Sequence, residues 1–460
     1  MRDLPDDSEQ LKALIRPLWE ENERLKAELA ELRRRLGMDS TNSHKPPSSD
    51  GYKKKTTAPG LPKSKGRRHG GQVGHPGKTL TPVEQPDRIE VHLPGQCSRC
   101  GRSFSADEAY EVIQRRQVFD LPEPRLEVTE HRLGQIECCG GVHGGTFPAE
   151  VTASVQYGPS VRALTTLLSV DHKLPLEPIS QLFEDLYGYD LNSGTVLDTL
   201  RRGAEQAAPL EEATRTRLLG AEVAHFDETG IRVAGKLHWL HTASTDQDTH
   251  LFVHEKRGQE ALDSDASVLK DFSGTAVHDC WKPYFHYPDA RHVLCGAHLL
   301  RELAGLKEQG SLWAEEMHEF LLDLHGMSRP LPAADAIRTH YQIILEQADR
   351  EEPPPQQGKR GRPKQSPGRN LLDRLRTHQE GVLAFALESG IPFTNNQAER
   401  DLRGTKVKLK VSGSFRTLGG ARVYARLQAV ISTVRKRGGN VFARLRELFS
   451  SPPVPSVERG

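Results

Sequence analysis

Three acidic residues lie at the ends of predicted strands or the start of a predicted helix, and their chemical type suits work on phosphate esters. Asp227 and Asp279 each follow a short apolar stretch that predicts a buried strand, and Glu399 lies near the start of a predicted helix. A carboxylate at the end of a buried strand is costly unless it faces a cleft or binds a cation. Carboxylates brought together can hold two Mg²⁺ or Mn²⁺ ions about 3.5–4 Å apart, one to activate a water or a 3′-hydroxyl and one to stabilise the leaving oxygen. These residues therefore predict a two-metal site acting on a phosphodiester.

The segment TNNQAERDLRGTKV, residues 394–407, surrounds Glu399 with amides and cations. Asn396 and Glu399 have the spacing of a helix-capping box, in which the glutamate only satisfies backbone donors. The alternative is that Glu399 is a metal ligand, that Asn395 and Asn396 fix the helix start, and that the cations contact a polyanion. Arg403 and Lys406 follow Glu399 at i+4 and i+7 and so share its helical face. The candidates for contact with a DNA backbone are Arg400, Arg403, Lys406, Lys408 and Lys410.

The charge distribution favours a nucleic-acid partner, although the net charge is only +1 over 460 residues. Residues 51–70 hold seven Lys or Arg and no acid, and residues 395–447 hold thirteen Lys or Arg against three acids. Such regions fit DNA better than a membrane, but ordinary solvated charged faces have the same composition. The stretch KRGRPK at 359–364 resembles an AT-hook core, in which Arg360 and Arg362 enter a narrow minor groove; a flexible basic linker is the alternative.

The N-terminal residues and the apolar runs bear on location. The start, MRDLPDDSEQ, is acidic and has no apolar stretch of the kind that a signal peptide needs. No apolar run approaches the ~20 residues that a membrane-spanning helix requires. We therefore expect a cytoplasmic, nucleoid-associated protein with no membrane partner.

Four of the six cysteines fall in one region, which predicts a metal site rather than a disulfide framework. The first two form a Cys-x-x-Cys knuckle that can bring two thiolates onto one ion. The second two are adjacent, which suits chelation less well, so His143 is the alternative to the last of them. Unligated buried thiols are the other interpretation. The predicted ligands of a structural Zn²⁺ ion in a small module over residues 91–150 are Cys97, Cys100, Cys138 and Cys139.

The N-terminal stretch predicts a leucine-zipper-like helix, with Pro17 in its first turn and Gly37 as its C-cap. Apolar residues alternate in steps of four and three, with an asparagine at one a position and opposite charges at e and g, a pattern that favours a parallel dimer. An amphipathic helix lying on its own protein is the alternative. The seam residues are Leu18, Asn22, Leu25, Leu29, Leu32 and Leu36. The partners expected are thus DNA and a second copy of the chain, as a homodimer or a higher oligomer on DNA.

The remaining elements predict an α/β fold. Residues 158–206 predict helices, with Ser193 capping the last; they fit either a helix-turn-helix that docks in DNA or a hairpin that merely packs. Residues 221–244 predict strand, turn, strand, a hairpin at Ala234-Gly235 and a further strand. After these come a fourth strand, another strand that runs into a helix, and an inserted helical block. This is the order of elements in an RNase H-like core. The predicted segments are 1–37 (zipper-like helix), 38–90 (basic linker), 91–150 (zinc-finger-like module), 151–215 (helix-turn-helix-like domain), 216–300 (catalytic core, first part), 301–390 (helical insertion with a basic loop), 391–448 (catalytic core, C-terminal part) and 449–460 (tail).

Longer blocks carry a family resemblance. HFDETGIRVAGKLHWLHTAST, VHDCWKPYFHYPDARHVLCGAHLLREL and the Asn-Asn-x-Ala-Glu-Arg block with its Lys-x-Ser-Gly-x-Phe-Arg continuation resemble the catalytic core of transposases of the insertion sequence 66 family. The likeness extends from the leucine-rich start, through GGQVGHPG, to about residue 448. It departs from the family pattern at the adjacent Cys138 and Cys139 and at Cys280. Cys295-Gly-Ala-His298 resembles a Cys-x-x-His motif of such transposases, and core packing is the role expected of it here.

The resemblance implies a DDE transposase whose catalytic acids are Asp227, Asp279 and Glu399. It also implies that the module at 91–150 binds zinc and the element's terminal DNA, and that accessory proteins encoded by the same element take part. The expected function is Mg²⁺-dependent cleavage at terminal inverted repeats, followed by attack of the freed 3′-hydroxyl on target DNA. Alternatives are a catalytically inactive, sequence-specific DNA-binding protein derived from a transposase, and a zinc-dependent nuclease without strand transfer.

Overall fold

The structure is a computed structural model that describes residues 8–37, 42, 80–105, 107, 109–328, 331–355 and 365–450. The first element is a single helix, α1 (Ser8–Gly37), with Pro17 inside it rather than in its first turn. The seam residues Leu18, Leu25 and Leu29 are 69%, 52% and 50% exposed in the single chain. The described part of the chain therefore leaves this seam uncovered, and the dimer remains a prediction. The predicted AT-hook arginines, Arg360 and Arg362, lie outside the described residues, as does most of the 38–90 linker.

The predicted zinc module contains a two-stranded hairpin, β1 (Gln135–Cys138) and β2 (Gly141–Gly144). Its two turn residues, Cys139 and Gly140, have φ of 53° and 77°, as a type I′ turn requires. Around the hairpin the chain is mostly irregular and leaves large apolar side chains in solvent, including Ile113, which is 95% exposed. Such a segment has no hydrophobic core of its own, and modules this small usually depend on a metal or a partner.

A helical layer comes next along the chain. It comprises α2 (Pro159–Thr166), a π-helical turn (Leu167–Asp171), α3 (Leu176–Tyr187), α4 (Ser193–Gln206) and α5 (Ala208–Leu219). The N-cap of α4 is Asn192, whose Oδ1 accepts from Gly194 N–H at 2.7 Å, so the prediction of Ser193 as the cap is wrong by one residue. Gly188 ends α3 in the left-handed conformation (φ 69°), which favours glycine.

A five-stranded mixed sheet forms the centre of the fold. Its strands are β3 (Val223–Val233), β4 (Lys236–Ser244), β5 (Thr249–His254), β6 (Thr275–His278) and β7 (Arg291–Leu294), with the short helix α6 (Gln259–Leu262) between β5 and β6. The spatial order is β5-β4-β3-β6-β7; β3, β4 and β5 are antiparallel, and β3, β6 and β7 are parallel. The hairpin at Ala234-Gly235 is present. The turn predicted before it is not, because β3 runs unbroken through it.

A helical block with its own core follows β7. It consists of α7 (Gly296–Lys307), α8 (Leu312–Gly326), α9 (Ala334–Glu351), α10 (Pro367–Thr377) and α11 (Gln379–Leu387). Trp313, Met317 and Tyr341 are at most 1% exposed and belong to one apolar cluster that also includes Leu294 of β7 and Phe393. The insertion is therefore packed onto the sheet rather than tethered to it.

Three helices complete the described chain: α12 (Asn396–Ser412), α13 (Leu418–Lys436) and α14 (Val441–Ser450). Leu402 of α12 and Ala425 of α13 pack against one face of the sheet with Ile231 and Leu251. Helices α13 and α14 also share an apolar cluster with α2 and α4. The helical layer and the sheet are thus joined through the C-terminal helices, and the α/β class predicted from the sequence is confirmed. Among the described helices, none is both long and apolar enough to cross a bilayer.

Candidate active site

The first two predicted acids lie near each other, one inside β3 and the other just after the neighbouring parallel strand β6. Asp279 follows the last residue of β6 directly, as predicted. Asp227 lies inside β3 instead of at a strand end, because β3 continues to Val233 in its antiparallel pairing with β4. The parallel pairing of β3 with β6 ends where His225 is matched with Val277, and continuing that register by two residues would match Asp227 with Asp279. Both acids are half-buried, so the end of β6 leaves them reachable from solvent.

The third acid, Glu399, lies in the first turn of α12, and the start of that helix is tied to β3. Asn395 is the N-cap residue, but its fully buried side chain does not cap the helix. Its Nδ2 donates to the carbonyl of Phe226 at 2.7 Å, and its Oδ1 accepts from Nδ1 of His225 at 3.0 Å. Capping-box geometry is therefore absent. The asparagine instead fixes the first turn of α12 beside the strand that carries Asp227.

A second attachment comes from the junction of β7 and α7. The Asn395 N–H donates to Cys295 Sγ at 3.1 Å, and the Gly296 N–H donates to the Phe393 carbonyl at 2.8 Å. A Cβ on Gly296 would overlap the Phe393 ring, so only glycine allows this close approach. The segment leading to Glu399 is held by two strands. Cys295 therefore helps to position Asn395 at the start of α12, in addition to the packing role expected of it. Its spacing in the sequence does not reveal this contact.

Replacing Asn395 by alanine is expected to lower the free energy of unfolding by about 2–4 kcal/mol, because two buried hydrogen-bonding groups lose their partner. Asn396 is exposed and provides a matched control: Asn396→Ala should stay within about 0.5 kcal/mol of wild type. Urea unfolding followed by tryptophan fluorescence measures both variants. A capping role for Asn396 requires the opposite result, in which Asn396→Ala lowers the free energy of unfolding by about 1 kcal/mol and Asn395→Ala changes it little. That result would contradict the assignment of Asn395 as the residue that fixes the start of α12.

The charges of Asp279 and Glu399 act on Asp227. Burial, with the neighbouring carboxylates of Glu228, Asp279 and Glu399, holds the pKa of Asp227 well above its usual range. Glu399 Oε1 lies 3.9 Å from Nδ1 of His298 and 3.9 Å from a guanidinium nitrogen of Arg301. A cation placed among the carboxylates would relieve the repulsion between them and favour their ionised forms.

His298 lies next to Glu399. Its Nδ1 is buried and has no hydrogen-bond partner among the described residues. Burial lowers the pKa of His298, but the charge of a Cys295 thiolate and a hydrogen bond with its sulfur raise that pKa more, to about 9. The Cys-x-x-His spacing identified this pair in the sequence, whereas its contact with the Glu399 helix depends on the fold.

The chemistry of the three acids fits a hard divalent cation, since all their donors are carboxylate oxygens and they repel one another without one. Their present arrangement is not that of a formed site. Within the described residues, no group of three or more His, Cys, Asp and Glu side chains is positioned to hold a metal ion. Asp227, Asp279 and Glu399 are neighbours whose side chains have to turn toward a common point for a metal to bind.

The four predicted zinc cysteines form two separate pairs. Gly101 N–H donates to the Cys97 carbonyl at 2.9 Å in a knuckle turn, and hydrogen bonds from Cys100 and Arg99 lower the pKa of Cys97. At the hairpin tip, Cys138 Sγ and Cys139 Sγ are 3.5 Å apart. No group of three or more possible metal ligands lies together among the described residues, so the Cys97–Cys100 pair and the Cys138–Cys139 pair do not meet at one point. Zinc binding remains a prediction.

The basic residues of α12 differ in their exposure to solvent. Arg400, Arg403 and Lys410 are exposed, while Lys406 and Lys408 are half-buried. Burial lowers the pKa of Lys408. The exposed members are available to an anionic partner in the single chain.

Glu228 and Cys280 lie next to the acids and make contacts that the sequence does not reveal. Glu228 lies on the opposite sheet face from Asp227, where its buried carboxylate accepts from Arg257 Nε at 2.7 Å and from the Tyr284 hydroxyl at 2.5 Å.

Cys280, next to Asp279, has a φ of 71°, and its N–H donates to His278 Nδ1 at 3.1 Å. A non-glycine residue in this conformation costs about 1 kcal/mol or more, and such strain is concentrated at functional sites. Burial raises the pKa of the Cys280 thiol to about 12, so this departure from the family pattern supplies no reactive thiolate.

Comparison with known protein families adds an independent finding. The model described as Transposase IS66 family matches residues 154–423, more than half of the chain and the whole stretch from Asp227 to Glu399. This match places the chain among the transposases. The chain belongs to the IS66 family, which confirms the resemblance found in its sequence blocks. A second match, over residues 1–81, is to a family of unknown function (DUF6444). No curated protein matches the chain.

Proposed function

We propose that this IS66-family protein is a DDE transposase with an RNase H-like core. The sheet supports this fold: three antiparallel strands are followed by two parallel ones, and the helix that carries the third acid comes after a helical insertion. The observation that carries the proposal is the proximity of the acids, since the charges of Asp279 and Glu399 act on Asp227. Continuing the β3–β6 register by two residues matches Asp227 with Asp279, and Asn395 fastens the Glu399 helix to β3.

Asp227, Asp279 and Glu399 are the residues that would hold Mg²⁺ or Mn²⁺. The bound ions would supply an activated oxygen nucleophile and charge stabilisation for the leaving oxygen. The chain's own contribution is positioning. His225 and Asn395 hold the helix of Glu399 in place, and the Trp281 N–H donates to Asp279 Oδ1 at 3.0 Å, which orients that carboxylate.

The reaction we propose has two phosphoryl displacements. In the first, a water oxygen bonds to phosphorus at the element's end, and the bond from phosphorus to the 3′-oxygen breaks to leave a 3′-hydroxyl. In the second, that hydroxyl attacks a target phosphodiester and displaces a 3′-oxygen of the target strand. Neither step needs a covalent enzyme intermediate, which is consistent with the inert Cys280 thiol.

The partners follow from the same proposal. Arg400, Arg403 and the lysines of α12 would contact the phosphate backbone, and the cysteine module would bind a structural Zn²⁺ ion and the terminal repeats. The uncovered α1 seam would pair with a second copy, and the complex would act on DNA in the cytoplasm, with accessory proteins of the same element as further partners.

A cleavage and strand-transfer assay on the matching element ends tests the proposed function. Purified protein with Mg²⁺ should release a 3′-hydroxyl end and join it to target DNA, and chelation by EDTA should stop both steps while end binding persists. End binding without cleavage, in Mg²⁺ and in Mn²⁺, would instead identify the inactive DNA-binding derivative. Cleavage without joining would identify a nuclease.

A further inference from the structure

A charged cleft lies along α12, the helix that carries Glu399, and apart from Arg400 and Arg403 its residues have no role in the proposed function above. It encloses about 780 Å³ between the end of the π-helical turn and helices α12 and α13. Residues 171–173 form one wall, and Arg400, Arg403 and Gly404 of α12 form another. Among the described residues that line it, all but Gly404 and Val407 are charged or polar. The cleft therefore suits a charged or polar ligand rather than an apolar one.

The cations of the cleft divide into neutralised and surplus groups. Lys436 pairs with Asp401 at 2.7 Å, and Arg435 pairs with Asp171. Within the described residues, Arg400 donates to the Asn396 carbonyl and to Gln397 Oε1, neither of which is an acid. Arg403 is exposed and makes no side-chain hydrogen bond or ion pair in the same part of the chain. The lining also contains the exposed carboxylate of Asp246, so five Lys or Arg side chains face three carboxylates and the cleft carries net positive charge.

Lys173 is the most unusual of these cations because it is buried. It is 7% exposed, and its ammonium donates to two neutral oxygens, the Val170 carbonyl and Gln428 Oε1. Burial lowers its pKa to about 8. A buried ammonium without a hydrogen-bonded carboxylate is costly, and an anion entering the cleft would offset that cost.

The backbone around Lys173 is shaped to hold it there. Lys173 has a φ of 63°, a left-handed conformation that a lysine rarely adopts. A Cβ on Gly404 would lie 3.4 Å from Lys173 Nζ, which is ordinary van der Waals contact. The ammonium of Lys173 therefore lies against α12 at Gly404, on the side of the helix that lines the cleft.

We propose that this cleft binds a phosphate of the sugar-phosphate backbone of a DNA strand, with Lys173, Arg400 and Arg403 as its cationic ligands. The proposal rests on the proposed function, because it takes DNA as the partner. Guanidinium groups suit phosphate oxygens through paired hydrogen bonds, and the ammonium acts as a point charge. Arg403 lines the cleft and is one helical turn from Glu399, so a strand anchored here continues toward the candidate catalytic acids.

Fluorescence anisotropy with a labelled 16-nucleotide single strand and the matching duplex, in EDTA to prevent cleavage, tests the cleft. Arg403→Gln should weaken binding several-fold at low salt. It should also reduce the slope of log K against log [salt] by about 0.7 for the single strand and about 0.9 for the duplex, the change expected for one lost phosphate contact. Lys173→Gln should reduce the slope similarly.

Arg350→Gln, at an exposed arginine of α9 that does not line the cleft, is the matched control and should bind within twofold of wild type. Arg403 is exposed, so its variant keeps the test valid even if Lys173→Gln fails to fold. Wild-type affinity and an unchanged salt slope for Arg403→Gln would overturn the proposal. That outcome would not change the result of the Mg²⁺ cleavage assay. Conversely, if Arg403→Gln reduces the salt slope but the wild-type protein does not cleave DNA, only the proposed catalysis is refuted.

Discussion

The Asp279→Asn variant is expected to lose at least about a thousandfold in both DNA cleavage and strand transfer while it still binds element ends. Asparagine keeps the size of the side chain and can still accept the hydrogen bond from the Trp281 N–H. It removes one negative charge and the anionic oxygen donors that a divalent cation needs. A bound metal stabilises transition-state charge by several kcal/mol, and each 1.4 kcal/mol lost is about tenfold in rate.

The matched control for this variant is Asp289→Asn. Asp289 is exposed and follows Asp279 in the same β6–β7 connection, so the substitution changes the same charge without touching the carboxylate group. Its cleavage rate should remain near that of wild type. Initial rates are measured with a labelled substrate under single-turnover conditions. Cleavage by Asp279→Asn within tenfold of wild type would refute the assignment of Asp279 as a metal ligand.

The Cys100→Ser variant is expected to lose most of its bound zinc and to bind element ends at least about tenfold more weakly. Serine cannot supply the thiolate that a structural zinc site requires, and the free energy of zinc binding is folding free energy in modules of this size. The region has few contacts to replace it, since Ile113, Val118 and Leu121 are each at least 88% exposed. Zinc per chain is measured by mass spectrometry of the purified protein, with a wild-type expectation of about one ion.

Further variants of the same module control for this result and assign the fourth ligand. Ser98→Ala changes the knuckle between the two cysteines without removing a thiolate and should retain zinc. Of Cys139→Ser and His143→Gln, only the one that removes a true ligand should release the metal. Wild-type zinc content in Cys100→Ser would exclude the knuckle as a zinc site, whatever the effect on DNA binding.

Local patterns in the sequence predicted most of the helices and four of the strands, but not the length of β3 or the existence of β5. The sequence predicts a turn inside residues 221–244 before the Ala234-Gly235 hairpin, whereas antiparallel pairing with β4 continues through Asp227 to Val233. Strand β5, Thr249–His254, is almost wholly buried and short, so it lacks the alternation that marks a half-buried strand. Both errors arise because pairing partners, rather than local propensity, decide where a strand continues.

In the candidate site, too, the sequence identifies some residues from local patterns and leaves others that only the fold reveals. The three acids could be selected by their place after or before apolar segments, and the family match covers all of them. Their supports could not be selected, because Asn395 contacts Phe226 across 169 positions of chain and Cys295 contacts Asn395 across 100. Side-chain patterns within one segment carry no information about such long-range contacts. The buried charge of Lys173 was missed for the same reason.

The double attachment of the α12 start has a consequence for biosynthesis. Asp227 and Asp279 leave the ribosome well before Glu399, because the helical insertion that packs against Leu294 and Phe393 lies between them in the chain. A nascent or truncated chain that ends inside the insertion therefore carries two of the three acids and lacks the helix that brings the third. Under the proposed mechanism such a fragment cannot nick the chromosome, so the order of synthesis itself delays damage to the host until the whole polypeptide is made.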